Sequence, residues 1–356
     1  MSRPLFAHID TAALQHNLSV ARSHAGQGRI MAVVKANGYG HGLARVAHAL
    51  WATDGFAVAS LDEAVQLREL GWQKPILLLE GIFSADEITA CINHQLTVAI
   101  HHFEQIHMLQ AARLASPLSV FLKLNSGMNR LGFKPQDYLN ALTQLQAIPA
   151  CGDITLMSHF ATADDDYGIA DQLQVMQRCF SQLSYPVSIA NSAALFRYPA
   201  HHGDWARPGI ALYGASPFAE MTAQALGLRP VMTLHSQIIG IQMLNTGDAL
   251  GYGRAWIADR PSRIGVVACG YADGYPRHAP TGTPILVNGQ LTRTLGRISM
   301  DMLFVDLTEL PTAQVGSTVI LWGKGLPVEA VAQAAGTISY ELLCARAQRV
   351  PERDIA

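Results

Sequence analysis

Ile30-Met31-Ala32-Val33-Val34-Lys35-Ala36-Asn37-Gly38-Tyr39-Gly40-His41-Gly42 is an apolar run that ends in a single lysine and then a glycine-rich turn. Similar β-branched runs recur at Phe56–Ala59, Ile76–Leu79, Thr97–Ile100, Val120–Leu124, Ile154–His159, Val187–Ala190 and Ala206–Tyr213, which with Ile30–Lys35 makes eight. Between them lie stretches of helical periodicity. In Leu61–Leu70, for example, Leu61, Ala64, Val65 and Leu70 fall near one face while Asp62, Glu63, Arg68 and Glu69 take the other. Strands alternating with helices read as parallel βαβ units, and eight of them match the strand count of a TIM barrel. A doubly wound open sheet would normally begin with a G-x-G-x-x-G turn after its first strand, which this sequence lacks.

Near Pro230 the pattern changes. Val231–Leu244, Arg263–Ala268, Thr283–Leu291, Leu303–Leu307 and Thr318–Trp322 read as strands separated by Gly, Pro and Asn turns, with Val328–Ala335 as the one clear helix. The expected fold class is therefore α/β: an N-terminal (β/α)8 TIM-type barrel over 1–230, followed by a mostly β C-terminal domain over 231–356.

Composition narrows the function. The 356 residues carry 25 basic and 27 acidic side chains, a net charge of −2, so no basic stripe exists for a nucleic-acid backbone. Charged residues are 15% and apolar residues 49%, a balance that suggests surface buried against a partner subunit. The longest apolar runs, such as Pro75–Leu79 and Gly265–Cys269, are far below the ~20 residues of a membrane span. Met1-Ser2-Arg3-Pro4-Leu5 leads into no apolar h-region, so a signal peptide is not expected and the cytoplasm is. Five scattered cysteines without a C-x-x-C pair fit free thiols in a reducing compartment. The 14 histidines include His101, His102 and His107 on an expected helix, but no H-E-x-x-H occurs and no metal is expected. Asp164-Asp165-Asp166 reads as a solvated loop.

In a barrel of this kind, reactive groups stand where strands end. Lys35 follows an apolar strand, where partial desolvation favours the neutral amine and hence a Schiff-base nucleophile; a solvent-exposed capping lysine is the plainer alternative. The loops after strands seven and eight are the usual phosphate site of the fold and contain Asn191-Ser192-Ala193-Ala194 and Arg207-Pro208-Gly209-Ile210. Taken singly these are ordinary turns. A lysine on the first strand combined with a phosphate cradle on the last two is the layout wanted for pyridoxal 5'-phosphate.

Longer motifs then carry a resemblance over essentially the whole chain: Val34-Lys35-Ala36-Asn37 with Tyr39-Gly40-His41-Gly42, Ser158-His159-Phe160-Ala161, Asn191-Ser192-Ala193, Arg207-Pro208-Gly209, Gly251-Tyr252-Gly253, Gly270-Tyr271-Ala272-Asp273-Gly274 and Ser299-Met300-Asp301. The sequence resembles the alanine racemases, fold-type III pyridoxal-phosphate enzymes, and Asn125-Ser126-Gly127-Met128-Asn129-Arg130-Leu131-Gly132 is closer to the catabolic bacterial form. The resemblance implies interconversion of L- and D-alanine by two bases, with Lys35 serving the D-isomer and Tyr252, reaching in from the other subunit of a homodimer, serving the L-isomer. Inversion needs one acid–base group per face, and both residue types have ordinary pKa values near 10. Burial lowers a lysine but raises a tyrosine, so a tyrosine base calls for a nearby cation or hydrogen bonds.

The remaining roles are also implied by the resemblance. Arg207 partners the pyridine nitrogen, where a permanent cation leaves the ring a weaker electron sink than a carboxylate would. His159 packs against the ring; alone it would read as a core histidine. Tyr39 and Tyr340 donate hydroxyls to the phosphate, with Asn191, Ser192, Gly209 and Ile210 around it. Arg130 takes the substrate carboxylate, a residue type suited to bidentate recognition, and Met300 holds the same carboxylate through its backbone N–H. Lys123 alternates inward with Phe121 and Asn125 and is implied to be carbamylated, orienting Arg130. Tyr271 narrows the substrate entry, and Asp301 supports the Met300 segment. Two positions depart from the family pattern. Gly38 stands where Ala is usual, and Ser188 stands where some members place a histidine behind the arginine matching Arg207.

Three other readings compete. A non-catalytic pyridoxal-phosphate carrier ends after the barrel, whereas residues 231–356 follow here. A decarboxylase of this fold type carries glutamate at the position of Arg207. A broad-specificity racemase differs only in pocket volume, where one methylene is worth about 1–3 kcal/mol.

Overall fold

A computed structural model describes residues 3–112 and 116–355; Met1 and Ser2, at the head of the leader reading, and Ala356, the end of the expected second domain, lie outside them. The first strand, β1 (Phe6–Asp10), belongs to the second domain and is taken up below. The barrel strands are β2 (Arg29–Val33), β3 (Gly55–Val58), β4 (Ile76–Leu78), β5 (Thr97–Ile100), β6 (Leu118–Lys123), β7 (Cys151–Met157), β8 (Val187–Ser188) and β9 (Trp205–Ala206). They form one parallel sheet in the order β8-β7-β6-β5-β4-β3-β2-β9. The middle strands are buried at nearly every position, because the barrel interior covers one face and helices cover the other. No ladder joins β8 to β9. Instead Asp204 N–H donates to the Val187 carbonyl at 2.7 Å and Arg207 N–H to the Ala190 carbonyl at 2.8 Å, so the barrel is nearly closed.

Helix starts follow local chemistry. Asp10 ends β1 and caps the helix Thr11–Ala25, its carboxylate accepting from Ala13 N–H at 2.8 Å. Ser60 caps Leu61–Glu69 in the same way, and that helix buries Ala64 and Leu67.

The second domain contains β10 (Met232–Leu244), the short pair β11 (Ala249–Leu250) and β12 (Trp256–Ile257), then β13 (Ser262–Val267), β14 (Pro284–Val287), β15 (Gln290–Leu295), β16 (Leu303–Asp306), β17 (Thr318–Trp322) and β18 (Glu352–Ile355). Its main sheet runs β13-β16-β15-β14-β17-β10-β1-β18, and β13 also pairs with β10, so six strands close on themselves. The fold is the expected barrel followed by a mostly β domain.

The structure corrects several details. Phe6–Asp10, counted with the barrel by a division at residue 230, pairs antiparallel with β10 (Phe6 opposite His235) and parallel with β18. Its alternate residues Ala7 and Ile9 are buried, a two-residue period suited to a half-buried sheet. Thr283–Leu291, expected as one strand, is divided by Asn288-Gly289, whose φ values of +48° and +78° make a two-residue hairpin turn. Ala206–Tyr213 keeps strand geometry only at its start: Pro208 has no N–H for a ladder, and Ile210–Tyr213 is a 3-10 turn. Ser339–Cys344 adds a helix beside the expected Val328–Ala335.

Candidate active site

Strand ends at the C-terminal mouth of the barrel enclose a cavity of about 660 Å³. Eleven of the residues singled out from the sequence line it: Lys35, Tyr39, Lys123, Arg130, His159, Asn191, Ser192, Arg207, Gly209, Ile210 and Tyr340. A second cavity of about 660 Å³ opens among strand starts, near Arg29, Asp153 and Trp205. That end of such barrels serves stability rather than chemistry.

Lys35 is half-buried just beyond β2, and the chain then turns left-handed: φ is +54° at Ala36, +53° at Asn37, +62° at Gly38 and +51° at Tyr39. Each non-glycine residue in that region costs about 1–2 kcal/mol, so the turn needs outside support. Arg346 supplies part of it, donating through Nε and Nη2 to the Gly40 carbonyl at 3.0 and 2.9 Å. Glycine at position 38 suits this turn. A Cβ there would stand 2.8 Å from Val46 Cγ2. The turn sends Tyr39 back into the cavity, where its ring stacks on Tyr213 at 4.5 Å.

Arg207 is 3% exposed, and its hydrogen-bond partners are neutral. Nη1 donates to Ser188 Oγ at 2.5 Å and Nη2 to the Ser158 carbonyl at 2.7 Å, while His159 Nδ1 lies 3.4 Å away. Burial alone brings its pKa down to about 10, so the cation persists at neutral pH. His159 is pushed well below the usual histidine range, first by burial and then by Arg207, Lys123, Arg130 and Lys35, and is held neutral. Lys123, 6% exposed, is brought down to about 8 by burial and then by Arg207 and Arg130; Glu80 opposes the shift.

The opposite wall is a cradle of hydroxyls and backbone. Ser192 Oγ accepts from Gly209 N–H at 2.9 Å, and a Cβ on Gly209 would stand 2.5 Å from the Tyr39 hydroxyl. Asn191 caps the Ser192–Arg197 turn, accepting from Ala194 N–H at 2.9 Å. Burial raises Tyr39, with Tyr340 and Cys344 adding to the shift, and burial likewise raises Tyr340, so both remain O–H donors. Arg130 leaves β6 on a loop shaped by Asn125, whose side-chain oxygen accepts from Gly127 and Asn129 N–H at 3.2 and 3.0 Å.

Four expected residues lie outside this cavity, on the second domain: Tyr252, Tyr271, Met300 and Asp301. Tyr252 is 71% exposed and Met300 53%. Tyr271 N–H donates to the Ser299 carbonyl and Ala272 N–H to the Met300 carbonyl, both at 3.0 Å, which ties the two loops together. The Asp301 carboxylate accepts from Arg349 at 2.5 Å.

Sequence reasoning missed several participants. Glu80 lines the cavity just past β4, a strand end that the barrel rule could have flagged. Cys344 lines it from the C-terminal helix. Ser158, which holds Arg207, sits inside the Ser158-His159 motif but had no signal of its own. No group of three or more His, Cys, Asp or Glu suited to a metal occurs among the described residues.

Fold and cavity together define a two-domain barrel enzyme whose pocket gathers Lys35, Lys123, Arg130 and Arg207 beside a cradle of hydroxyls and backbone. Comparisons with known proteins agree. Residues 9–217 match the family model "Alanine racemase, N-terminal domain", and residues 231–354 match "Alanine racemase, C-terminal domain". The alanine racemase of Nitrosomonas eutropha is 56% identical over the full length of both chains, and that of Nitrosospira multiformis is 56% identical over 98% of this chain and 99% of its own. The crystal structure of the biosynthetic alanine racemase from Pseudomonas aeruginosa superposes with a TM-score of 0.98 at 48% identity, covering 99% of this chain and 100% of that one. The chain belongs to the alanine racemase family and is a racemase, an isomerase of amino acids.

Proposed function

We propose that the protein interconverts L- and D-alanine on pyridoxal 5'-phosphate, as a homodimer in which each subunit completes its partner's site. The observation that carries this reading is the cavity itself: Lys35, Lys123, Arg130 and Arg207 face one enclosed space with the Gly209–Tyr39 cradle. The donor set fits the cofactor, because a glycine where a Cβ would strike a hydroxyl leaves room for an anion. When bound, the cofactor supplies an electron-withdrawing ring that acidifies the α C–H of the amino acid.

Tyr39, Tyr340 and Ser192 offer hydroxyls to the phosphate, and Gly209, Ile210 and Asn191 shape its seat. His159 would pack on the ring, and Arg207 would meet its nitrogen with a charge that neutral partners do not cancel. Lys35 Nζ would hold the cofactor until the substrate amine displaces it, and the freed lysine amine would then exchange a proton on its own face of the substrate, the face for D-alanine. The Tyr252 hydroxyl of the partner serves the other face, for L-alanine. Arg130, with the Met300 N–H of the partner subunit, would bind the carboxylate. A pKa near 8 leaves part of Lys123 as free amine, the form that carbon dioxide carbamylates, and the resulting anion would orient Arg130. Tyr271 narrows the entry, and the Asp301–Arg349 pair steadies the loop bearing Met300.

Support for the dimer comes from the second domain, whose surface exposes Tyr252, Met243, Ile257, Leu291, Met300 and Met302. We infer a cytoplasmic setting from the five free thiols. Kinship with the catabolic form rests on Asn125–Gly132 alone, and the 48% identical Pseudomonas aeruginosa enzyme is described as biosynthetic.

The test is racemisation of alanine against serine, lysine and arginine by the purified protein, followed by borohydride reduction. Alanine should be strongly preferred and the reduced adduct should map to Lys35. Equal rates on all four substrates would favour a broad-specificity racemase, and an adduct on Lys123 would overturn the site.

A further inference from the structure

We infer that Gln172 is a positioning residue that couples the loop carrying Arg130 to the loop carrying His159; the inference rests on the roles proposed above for those two residues. Gln172 stands in the first turn of the helix Ala170–Phe180 and is 6% exposed. Its side chain turns away from its own helix and bonds both loops. Nε2 donates to Ser126 Oγ at 2.9 Å and to the His159 carbonyl at 3.1 Å, while Oε1 accepts from Ala161 N–H at 2.8 Å.

The bonds beyond it have a fixed polarity. Ser158 Oγ donates to the Leu124 carbonyl at 2.9 Å, so in the 2.8 Å contact between the two serines Ser126 must be the donor. Ser126 has then spent its only hydrogen and must accept from Gln172. The Leu124 carbonyl thus fixes the direction of the chain, and position 172 must offer Ser126 an N–H, which a carboxylate of the same shape cannot. The same chain ends on Ser158, whose carbonyl accepts from Arg207. Gly127 leaves room for this approach: a Cβ there would stand 3.3 Å from Gln172 Cγ and carry a φ of +148°. One side chain from a third element thus spans the segments after β6 and β7, four residues before Arg130 and at His159 itself. Barrel loops that bear functional groups need such support from rigid elements, because small misplacements cost rate.

The experiment uses the full-length holoenzyme and three variants: Gln172→Leu, Gln172→Glu and the double variant Gln172→Leu with Ser126→Ala. Measured for each are KM and kcat for alanine, the pyridoxal-phosphate dissociation constant, visible circular dichroism of the bound cofactor, and Tm. Both single variants should raise KM and weaken cofactor binding by about tenfold, the scale of one lost buried hydrogen bond, and should alter the dichroism. The double variant removes the stranded serine hydroxyl, so its Tm should recover towards wild type while KM and cofactor binding stay impaired.

Two results would overturn the coupling: unchanged KM and cofactor binding in the single variants, or recovery of both together with Tm in the double variant, which would mark a structural role only. If Gln172→Leu does not fold, Gln172→Glu, which keeps the shape and the Ala161 contact, is judged by the same criteria. A His159→Leu control separates this from the parent reading. If that variant binds cofactor normally, the role of His159 itself falls; if it binds weakly while Gln172→Leu behaves as wild type, only the coupling falls.

Discussion

Arg207 is anchored by a neutral hydroxyl, donating to Ser188 Oγ at 2.5 Å in a setting where Ser188 has no exposure at all. The departure of position 188 from histidine therefore does not leave the arginine unheld, because Ser188 and the Ser158 carbonyl together fix the guanidinium plane. A hydroxyl and a carbonyl orient the charge without neutralising it. Removing the hydroxyl in Ser188→Ala should cost about 1.5–3 kcal/mol, the range for a hydrogen bond to a charged group. Urea unfolding measures this, and a loss under about 0.5 kcal/mol would mean that Ser158 alone holds Arg207.

Gly209→Ala should cripple cofactor binding without unfolding the barrel. The new Cβ would meet the Tyr39 hydroxyl at 2.5 Å. Adding Tyr39→Phe removes the obstructing oxygen. The double variant should regain the Tm of Tyr39→Phe alone, while cofactor affinity remains low because a phosphate donor is gone. A Tm that stays depressed in the double variant would place the conflict elsewhere.

Lys123 predicts a pH dependence with a definite sign. Burial, aided by Arg207 and Arg130, brings its folded pKa to about 8 against an ordinary lysine value of 10.5. Between those values the unfolded chain binds more protons, so stability is gained as pH rises from about 8 to about 10.5 and lost as it falls through 8. Lys123→Met should remove this slope, a difference of up to about 3 kcal/mol between pH 7 and pH 11. Denaturation of both proteins across that range checks it. At pH 8, added bicarbonate should stabilise the wild type and not Lys123→Met; equal responses would remove the carbamylation proposal.

Subunit mixing tests the shared site. Lys35→Ala and Tyr252→Phe dimers should each be inactive, but exchanged heterodimers carry one site with both wild-type bases and should recover activity. Recovery should be absent if Tyr252 serves its own chain. In Tyr252→Phe alone, α-hydrogen exchange should persist from D-alanine and fall by about 10²–10⁴-fold from L-alanine, the usual scale of general acid–base catalysis. Equal losses from both isomers would withdraw the two-base assignment.

Much of the site was legible along the chain because barrels place function at strand ends. Lys35, Asn191, Ser192, Arg207 and Gly209 stand where that rule puts reactive groups, and all line one cavity. Glu80 obeys the same rule and was passed over because no motif surrounds it. Gln172 and Ser158 could not be found this way: their role lies in contacts across 46 and 49 residues, to Ser126 and from Arg207, which no local pattern encodes.

By itself, the sequence determined the alternation of strands and helices in the barrel, the change to β structure near residue 230, and the position of a lone lysine at a strand end. These depend on periodicity, turn residues and side-chain chemistry within a few positions. The tertiary structure alone decided that Phe6–Asp10 joins the second domain, since Ala7 and Ile9 are buried only once β10 and β18 flank them. It also decided that Ala36–Tyr39 runs left-handed, against the preference of Ala36 and Tyr39, because distant contacts such as Arg346 to Gly40 support the turn. Lys123 became a lysine with a pKa near 8 for the same reason: the fold removed it from water and brought Arg207 and Arg130 near it. Burial and long-range charge arise only when segments far apart in the chain pack together.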